Sequence, residues 1–177
     1  MKKIILIASC LLITSLGFSQ QNAAPKTKKL PLVTIKTADG KTIKTSDISN
    51  NGKPIIISFW ALWCKPCQKE LSTIAEVYDE WQKETGVKLV AVSIDDARSS
   101  ARVLPTVNGN NWSYEVLLDV NHDFKRAMNV NMIPHTFLLN GNGEIVWQHT
   151  SFAEGSELEL IELVRKLNRG EDISEKK

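Results

Sequence analysis

Ile55-Ile56-Ile57-Ser58-Phe59-Trp60-Ala61-Leu62-Trp63-Cys64-Lys65-Pro66-Cys67 holds the change of pattern on which the reading of this chain turns. From Ile55 to Trp60 the run is apolar except at Ser58, as in a strand buried on both faces of a parallel sheet. Beyond Cys64 the period changes. Cys67, Leu71, Ile74, Tyr78 and Trp81 recur at spacings of three and four, which predicts a helix from about Lys65 to Glu84, stopped by Gly86. Two cysteines with this spacing, in the first helical turn, can close a small disulfide. Pro66 is tolerated there because first-turn N–H groups have no intrahelical partner. Cys64 would meet those free N–H groups and the positive end of the helix dipole, both of which favour a thiolate.

Such placement lowers a cysteine pKa from about 8.5 into the range of roughly 3.5–7.5. A drop to about 7 raises the thiolate fraction at neutral pH roughly 16-fold, and a Brønsted slope near 0.45 takes back about fivefold. The net gain in rate is only about three- to fourfold, so the motif sets leaving-group quality and redox poise more than speed. Two blander readings compete. Zinc wants four ligands, usually from two such pairs, and a disulfide across two residues closes too small a loop to constrain the unfolded chain. Redox chemistry accounts for the pair better than either.

Outward from this centre, Leu32 to Lys36 and Lys41 to Lys44 read as two strands around Ala38-Asp39-Gly40. Val87 to Ile94 is a second buried strand, followed by a helix around residues 97–107, a strand from Tyr114 to Leu118 and a short helix from His122 to Met128. His135 to Leu139 and Ile145 to His149 flank Gly141-Asn142-Gly143 as a hairpin. Ser156 to Asn168 is a last amphipathic helix with Ser156 as its cap. Alternating strands and helices make an α/β sandwich. Counting outward from the turn pairs Asn140 with Glu144, and hence His135 with His149 across the hairpin.

The first 19 residues read as a secretory signal peptide: basic Met1-Lys2-Lys3, an apolar run from Ile4 to Leu16, then Gly17-Phe18-Ser19 before the cut. The run falls short of the roughly 20 apolar residues of a spanning helix. Lipoprotein processing at Cys10 is the rival, and it leaves a shorter apolar core than a signal wants. Removal of residues 1–19 takes away Lys2 and Lys3, so 22 basic residues become 20 against 20 acidic ones, a net charge of zero. That balance gives no basic excess for nucleic acid or anionic membrane. Residues 20–30 read as a flexible linker, 31–169 as one domain able to build its own core, and 170–177 as a frayed tail.

The segment from Phe59 to Cys67 resembles the active-site segment of exported thioredoxin-like proteins of the TlpA/ResA type. So does Met132-Ile133-Pro134 leading into Phe137-Leu138-Leu139 and a Gly-Asn-Gly turn. The resemblance implies a thioredoxin fold, a central mixed sheet flanked by helices, with an N-terminal β-hairpin and an inserted segment after the second core strand. It implies that Cys64 attacks and Cys67 resolves, through a Cys64–Cys67 redox disulfide flanked by Trp63, Lys65 and Pro66, with no cofactor. It also implies a cis bond at Ile133–Pro134. Thioredoxins proper keep a buried aspartate six residues before the first cysteine, where this chain has Ser58. The TlpA/ResA type often has a glutamate three residues after the second cysteine, here Glu70, which shares the helical stripe of Cys67 and can face inward.

By the same resemblance the protein is a monomeric periplasmic reductant of disulfides in exported proteins or apocytochromes, recharged by a membrane-embedded electron donor. His135 stands where many relatives carry threonine. A peroxidase of the peroxiredoxin type would need PxxxTxxC ending at Cys64, and Ile57 and Ala61 occupy the proline and threonine places. Copper delivery through Cys64, Cys67 and a histidine is an alternative, although the thioredoxin-fold version of that function has CxxxC. A disulfide oxidant or isomerase is the other alternative, since CxxC proteins span about −270 to −120 mV.

Overall fold

The computed structural model describes residues 28–171 and 173. In chain order the elements are β1 (Lys28–Lys29), β2 (Thr34–Thr37), β3 (Thr42–Lys44), β4 (Ile55–Trp60), α1 (Lys65–Thr85), β5 (Lys88–Ser93), α2 (Val103–Gly109), β6 (Glu115–Leu118), α3 (Asp123–Ala127), β7 (His135–Leu139), β8 (Glu144–Thr150) and α4 (Ser156–Asn168). Among these residues no helix is long and apolar enough to cross a membrane.

The strands form one mixed sheet in the order β1-β8-β7-β4-β5-β6-β2-β3. All six residues of β4 are buried, because it lies between β5, which runs parallel, and β7, which runs antiparallel. This is why the sequence shows an unbroken apolar run there instead of an alternation. The N-terminal hairpin β2–β3 joins antiparallel to the far strand β6. Helix α1 buries Cys67, Glu70, Leu71, Ile74, Tyr78, Trp81 and Thr85, and Gly86 ends it in the left-handed conformation at φ 70°. Helix α4 lies beside α1, with Arg165 gripping both oxygens of Glu84 at 2.6 and 2.7 Å. On the other face, Phe124 of α3 packs on Phe59 with ring centroids 5.2 Å apart.

Five expectations need correction. The helix expected over 97–107 is displaced: a 3₁₀ turn spans Ser100–Arg102 and α2 begins at Val103. Asp96 Oδ1 accepts from the N–H groups of Arg98 and Ser99, an Asx turn that holds the chain out of a helix. Pro105 fits only in a first turn. The N-cap of α4 is Gly155, at φ 92°, and not Ser156, whose hydroxyl instead accepts from the Ala153 N–H. The end of the presumed linker is ordered, since Lys28 and Lys29 pair with Ile145 and Glu144 of β8. Residues 20–27 and the signal segment lie outside the described residues. In the expected tail, Ile173 is buried with the core.

The fifth correction concerns the hairpin. Asn140 and Glu144 close the turn as expected, with the Asn140 N–H on the Glu144 carbonyl at 2.9 Å. A β-bulge then intervenes: Leu139 pairs with Ile145 but Leu138 pairs with Trp147. From there on the register is shifted by one residue. His149 pairs with Thr136, and His135 pairs with Thr150. Since successive strand residues point to opposite faces, the bulge moves His149 onto the face of Thr136 and away from that of His135.

Candidate active site

The chain leaves β4 at Trp60 and turns sharply, the Cys64 N–H donating to the Ala61 carbonyl at 3.0 Å. Leu62, inside the turn, is held at both peptide groups. Its N–H donates to Asp95 Oδ2 at 2.9 Å, and its carbonyl accepts from Gln68 Nε2 at 2.5 Å. Asp95 is itself buried and also accepts from the Ser93 hydroxyl at 2.8 Å. The inserted segment after β5 braces the same turn, with Trp112 packed edge-on against Trp60 at 5.1 Å.

Cys64 is the N-cap of α1, and its sulfur accepts from the Cys67 N–H at 3.3 Å. Cys64 and Cys67 are joined in a disulfide. Cys64 retains 5% exposure and Cys67 none, so of the two only Cys64 reaches the surface at all. Lys65 and Pro66 are exposed, and Trp63 is 68% exposed. The Ile133–Pro134 bond is cis. Continuing the β4–β7 register one step beyond Phe59–His135 sets Pro134 opposite Trp60, where the turn to Cys64 departs. Ile133 is half-buried, and Met132 before it is 60% exposed.

Glu70 lies one turn after Cys67 on the same buried stripe. Its two carboxyl oxygens are held separately: Oε2 accepts from the Ser58 hydroxyl at 3.1 Å and Oε1 from the Thr136 hydroxyl at 2.9 Å. Ser58 and Thr136 are themselves paired across β4 and β7. The position occupied by an acid in thioredoxins proper therefore supplies a hydroxyl that orients a carboxyl from the helix. Burial pushes the Glu70 pKa up from 4.5 to about 7, and the two hydroxyl hydrogen bonds only partly oppose it. This amounts to about 3 kcal/mol against the charged form, at roughly 1.4 kcal/mol per tenfold change in proton affinity. The apolar stripe of α1 can bear that cost, because each large side chain it buries contributes about 1.5–3 kcal/mol.

His135 lies on the opposite face of β7. Its ring stacks on Phe137 at 4.3 Å, its Nε2 donates to Gln148 Oε1 at 3.4 Å, and burial lowers its pKa. His149 is exposed and stacks on Trp147. The two histidines do not form a pair. Asp95, Gln68 and Thr136 are the site residues that sequence reasoning missed. Thr136 alone left a signal, as a polar residue inside an apolar strand, like Ser58.

Residues 27–148 match the AhpC/TSA family. The thiol-disulfide oxidoreductase ResA of Bacillus subtilis is 32% identical over 142 residues, 76% of either chain. Among solved structures, a thioredoxin-like protein from Porphyromonas gingivalis is 56% identical with a TM-score of 0.72, covering 79% of this chain and 92% of its own. StoA from B. subtilis is 28% identical with a TM-score of 0.59, covering 75% and 97%. With Ile57 and Ala61 in place of the peroxidatic proline and threonine, and a disulfide between Cys64 and Cys67, the chain belongs to the AhpC/TSA family as a thioredoxin-fold thiol–disulfide oxidoreductase of the TlpA/ResA type.

Proposed function

We propose that this oxidoreductase is exported and acts as a reductant of disulfides in exported proteins, with Cys64 as attacker, Cys67 as resolver and Glu70 as the base for Cys67. The observation that carries this reading is the buried carboxyl of Glu70, held by two hydroxyls on the stripe of Cys67, with its pKa raised to about 7. A reductant must deprotonate its resolving thiol once per turnover, and a base tuned near neutrality is suited to that step. The Cys64 thiolate attacks a client disulfide and releases one client thiolate. Glu70 then takes the proton of Cys67, whose sulfur displaces the second client sulfur from Cys64. Trp63, next to Cys64 in the chain, and Met132, two residues before Pro134, are exposed and offer apolar surface to a client. Pro134, with no N–H of its own, leaves the neighbouring backbone to pair with an extended client segment.

Cleavage after Ser19 would leave a monomer that begins at Gln20 in the periplasm, recharged by a membrane-embedded electron donor. Apocytochromes are a fitting client class because their thiols must stay reduced.

Equilibration in glutathione buffers tests the direction. A reductant should poise below about −220 mV, and a value near −120 mV would assign the protein to the oxidants. In the same preparation Cys67→Ala should accumulate mixed disulfides with clients and Cys64→Ala should not; equal trapping by both would reverse the roles of the two sulfurs.

A further inference from the structure

Each turnover that loads a proton onto Glu70 must also unload it, and Glu70 is only 7% exposed. The hydroxyls that hold it lead inward, with Ser58 at 0% and Thr136 at 3% exposure. One narrow crevice has Glu70 in its wall. It runs between β8 and the first turn of α4, and Glu70, Thr136, Trp147, His149, Ser156 and Glu157 are among its walls. Its free space is about 10 Å³, on the order of one water molecule. His149 stands at its solvent side, exposed, with its ring stacked on Trp147 at 5.8 Å.

The β-bulge is what puts His149 there. In the regular register His149 would oppose His135, on the face that carries Phe137 and α3; the shift between Leu138 and Leu139 moves it opposite Thr136, the residue that binds Glu70. Bulges of this kind re-aim a side chain beside a functional site. An imidazole can accept a proton on one nitrogen while releasing one from the other, as a relay requires.

From this juxtaposition we infer that His149 passes the proton of Glu70, through one water in the crevice, to bulk solvent. The inference rests on the reading of Glu70 as the base of Cys67. In the resolving step the Cys67 S–H bond breaks and its proton goes to the Glu70 carboxylate. The Cys67 sulfur bonds to the Cys64 sulfur as the bond from Cys64 to the client sulfur breaks. The proton then leaves Glu70 through the water and His149, while the departing client thiolate takes a proton from solution. No oxidant beyond the client disulfide is needed. The charged groups that face His149 are Glu70 from α1 and Glu157 from α4; His135 lies on the far side of the hairpin.

The two steps separate in the reaction of the reduced full-length protein with the aromatic disulfide 5,5′-dithiobis(2-nitrobenzoate). Attack by Cys64 releases one thionitrobenzoate, and resolution by Cys67 releases a second. In weak buffer at about pH 6, where Glu70 starts protonated and must lose that proton before it can take the one on Cys67, His149→Ala should leave the first release unchanged and slow the second by about tenfold. That is less than the roughly 10²–10⁴-fold contributed by a group that transfers the proton directly. Added imidazole should restore the second release, and the better-fitting His149→Gln should behave as the alanine variant does. An unchanged second release, or a slowed one that imidazole does not restore, would overturn the relay. Glu70→Gln distinguishes the two levels of failure. If it leaves the pH profile of the second release unaltered, the base reading falls and the relay with it. If it alters that profile while His149→Ala has no effect, the relay alone falls.

Discussion

A single carboxyl, that of Glu70, links the proposed chemistry to the stability of the protein. Its pKa stands at about 7 in the folded protein against 4.5 for the ordinary side chain, chiefly because burial disfavours the anion. Below pH 4.5 both folded and unfolded chains carry the proton and nothing is lost. Between 4.5 and 7 the unfolded chain releases it while the folded one keeps it, so stability falls as pH rises. Above 7 the whole penalty, about 3 kcal/mol, is present. Glu70→Gln removes the titration and keeps the shape, and its amide can donate to the Ser58 or Thr136 oxygen. Thermal melts of the oxidised protein should therefore coincide for the two forms at pH 4. At pH 8 the glutamine variant should be the more stable, by up to about 3 kcal/mol. Its resolving step should slow ten- to a hundredfold over the same range, the lower part of what general acid–base groups contribute. A glutamine variant no more stable at pH 8 would mean that the carboxyl is solvated and its pKa ordinary.

Among the elements, the junction of β4 with α1 depends on a residue from outside both. Asp95, beyond the end of β5, fixes the Leu62 N–H and the Ser93 hydroxyl. Asp95→Ala strands the buried Ser93 hydroxyl and the part-buried Leu62 N–H, at a cost of about 1–3 kcal/mol. Asp95→Asn keeps an acceptor for Leu62 and should recover most of that. Urea unfolding, together with amide exchange at Leu62, checks this: exchange should accelerate in the alanine variant, and unchanged exchange would show that the turn holds itself. Nothing local announces this contact, since Asp95 follows a strand where any polar residue would fit and its partner is 33 positions away. By contrast, β4, α1, β7 and α4 were legible because their apolar periods are long and are bounded by Gly86, by the turn at 141–143 and by the polar stretch before Ser156. The place of Cys67 and Glu70 on one buried stripe was legible from helical spacing, while the reason to single out Glu70 came from the resemblance to the TlpA/ResA type. The bulge was not legible. Ile145-Val146-Trp147 is apolar throughout, so no alternation of polar and apolar residues fixes the register there. With it the position of His149 was hidden as well.

At the scale of the whole molecule, strand β4 links the reactive end of the sheet to an end where loops close on one another. Strand β4 starts at Ile55 and delivers the chain to Cys64; its six residues span about 20 Å at roughly 3.3 Å each. At the starting end the Asn50 amide donates to the carbonyls of both Pro54 and Gly86, tying the approach to β4 to the end of α1. Beside it the hairpin turn comes so close that a Cβ on Gly141 would run into the Gly52 carbonyl oxygen. That clash is with backbone, which cannot swing aside as a side chain tip can, so Gly141→Ala must displace one loop or the other. The cost should be about 1–3 kcal/mol, the range typical of forced overpacking. It should appear as a lower denaturation midpoint with an unchanged slope, the mark of an altered stability and an intact two-state transition. The reactivity of Cys64 should be untouched, because β4 is buried and paired along both edges between the two ends. Measured under conditions where the variant is fully folded, the first release of thionitrobenzoate should match the parent rate. A slower release there would mean that strain at Gly52 travels along β4 to the active-site turn, and the two ends would have to be treated as one coupled unit.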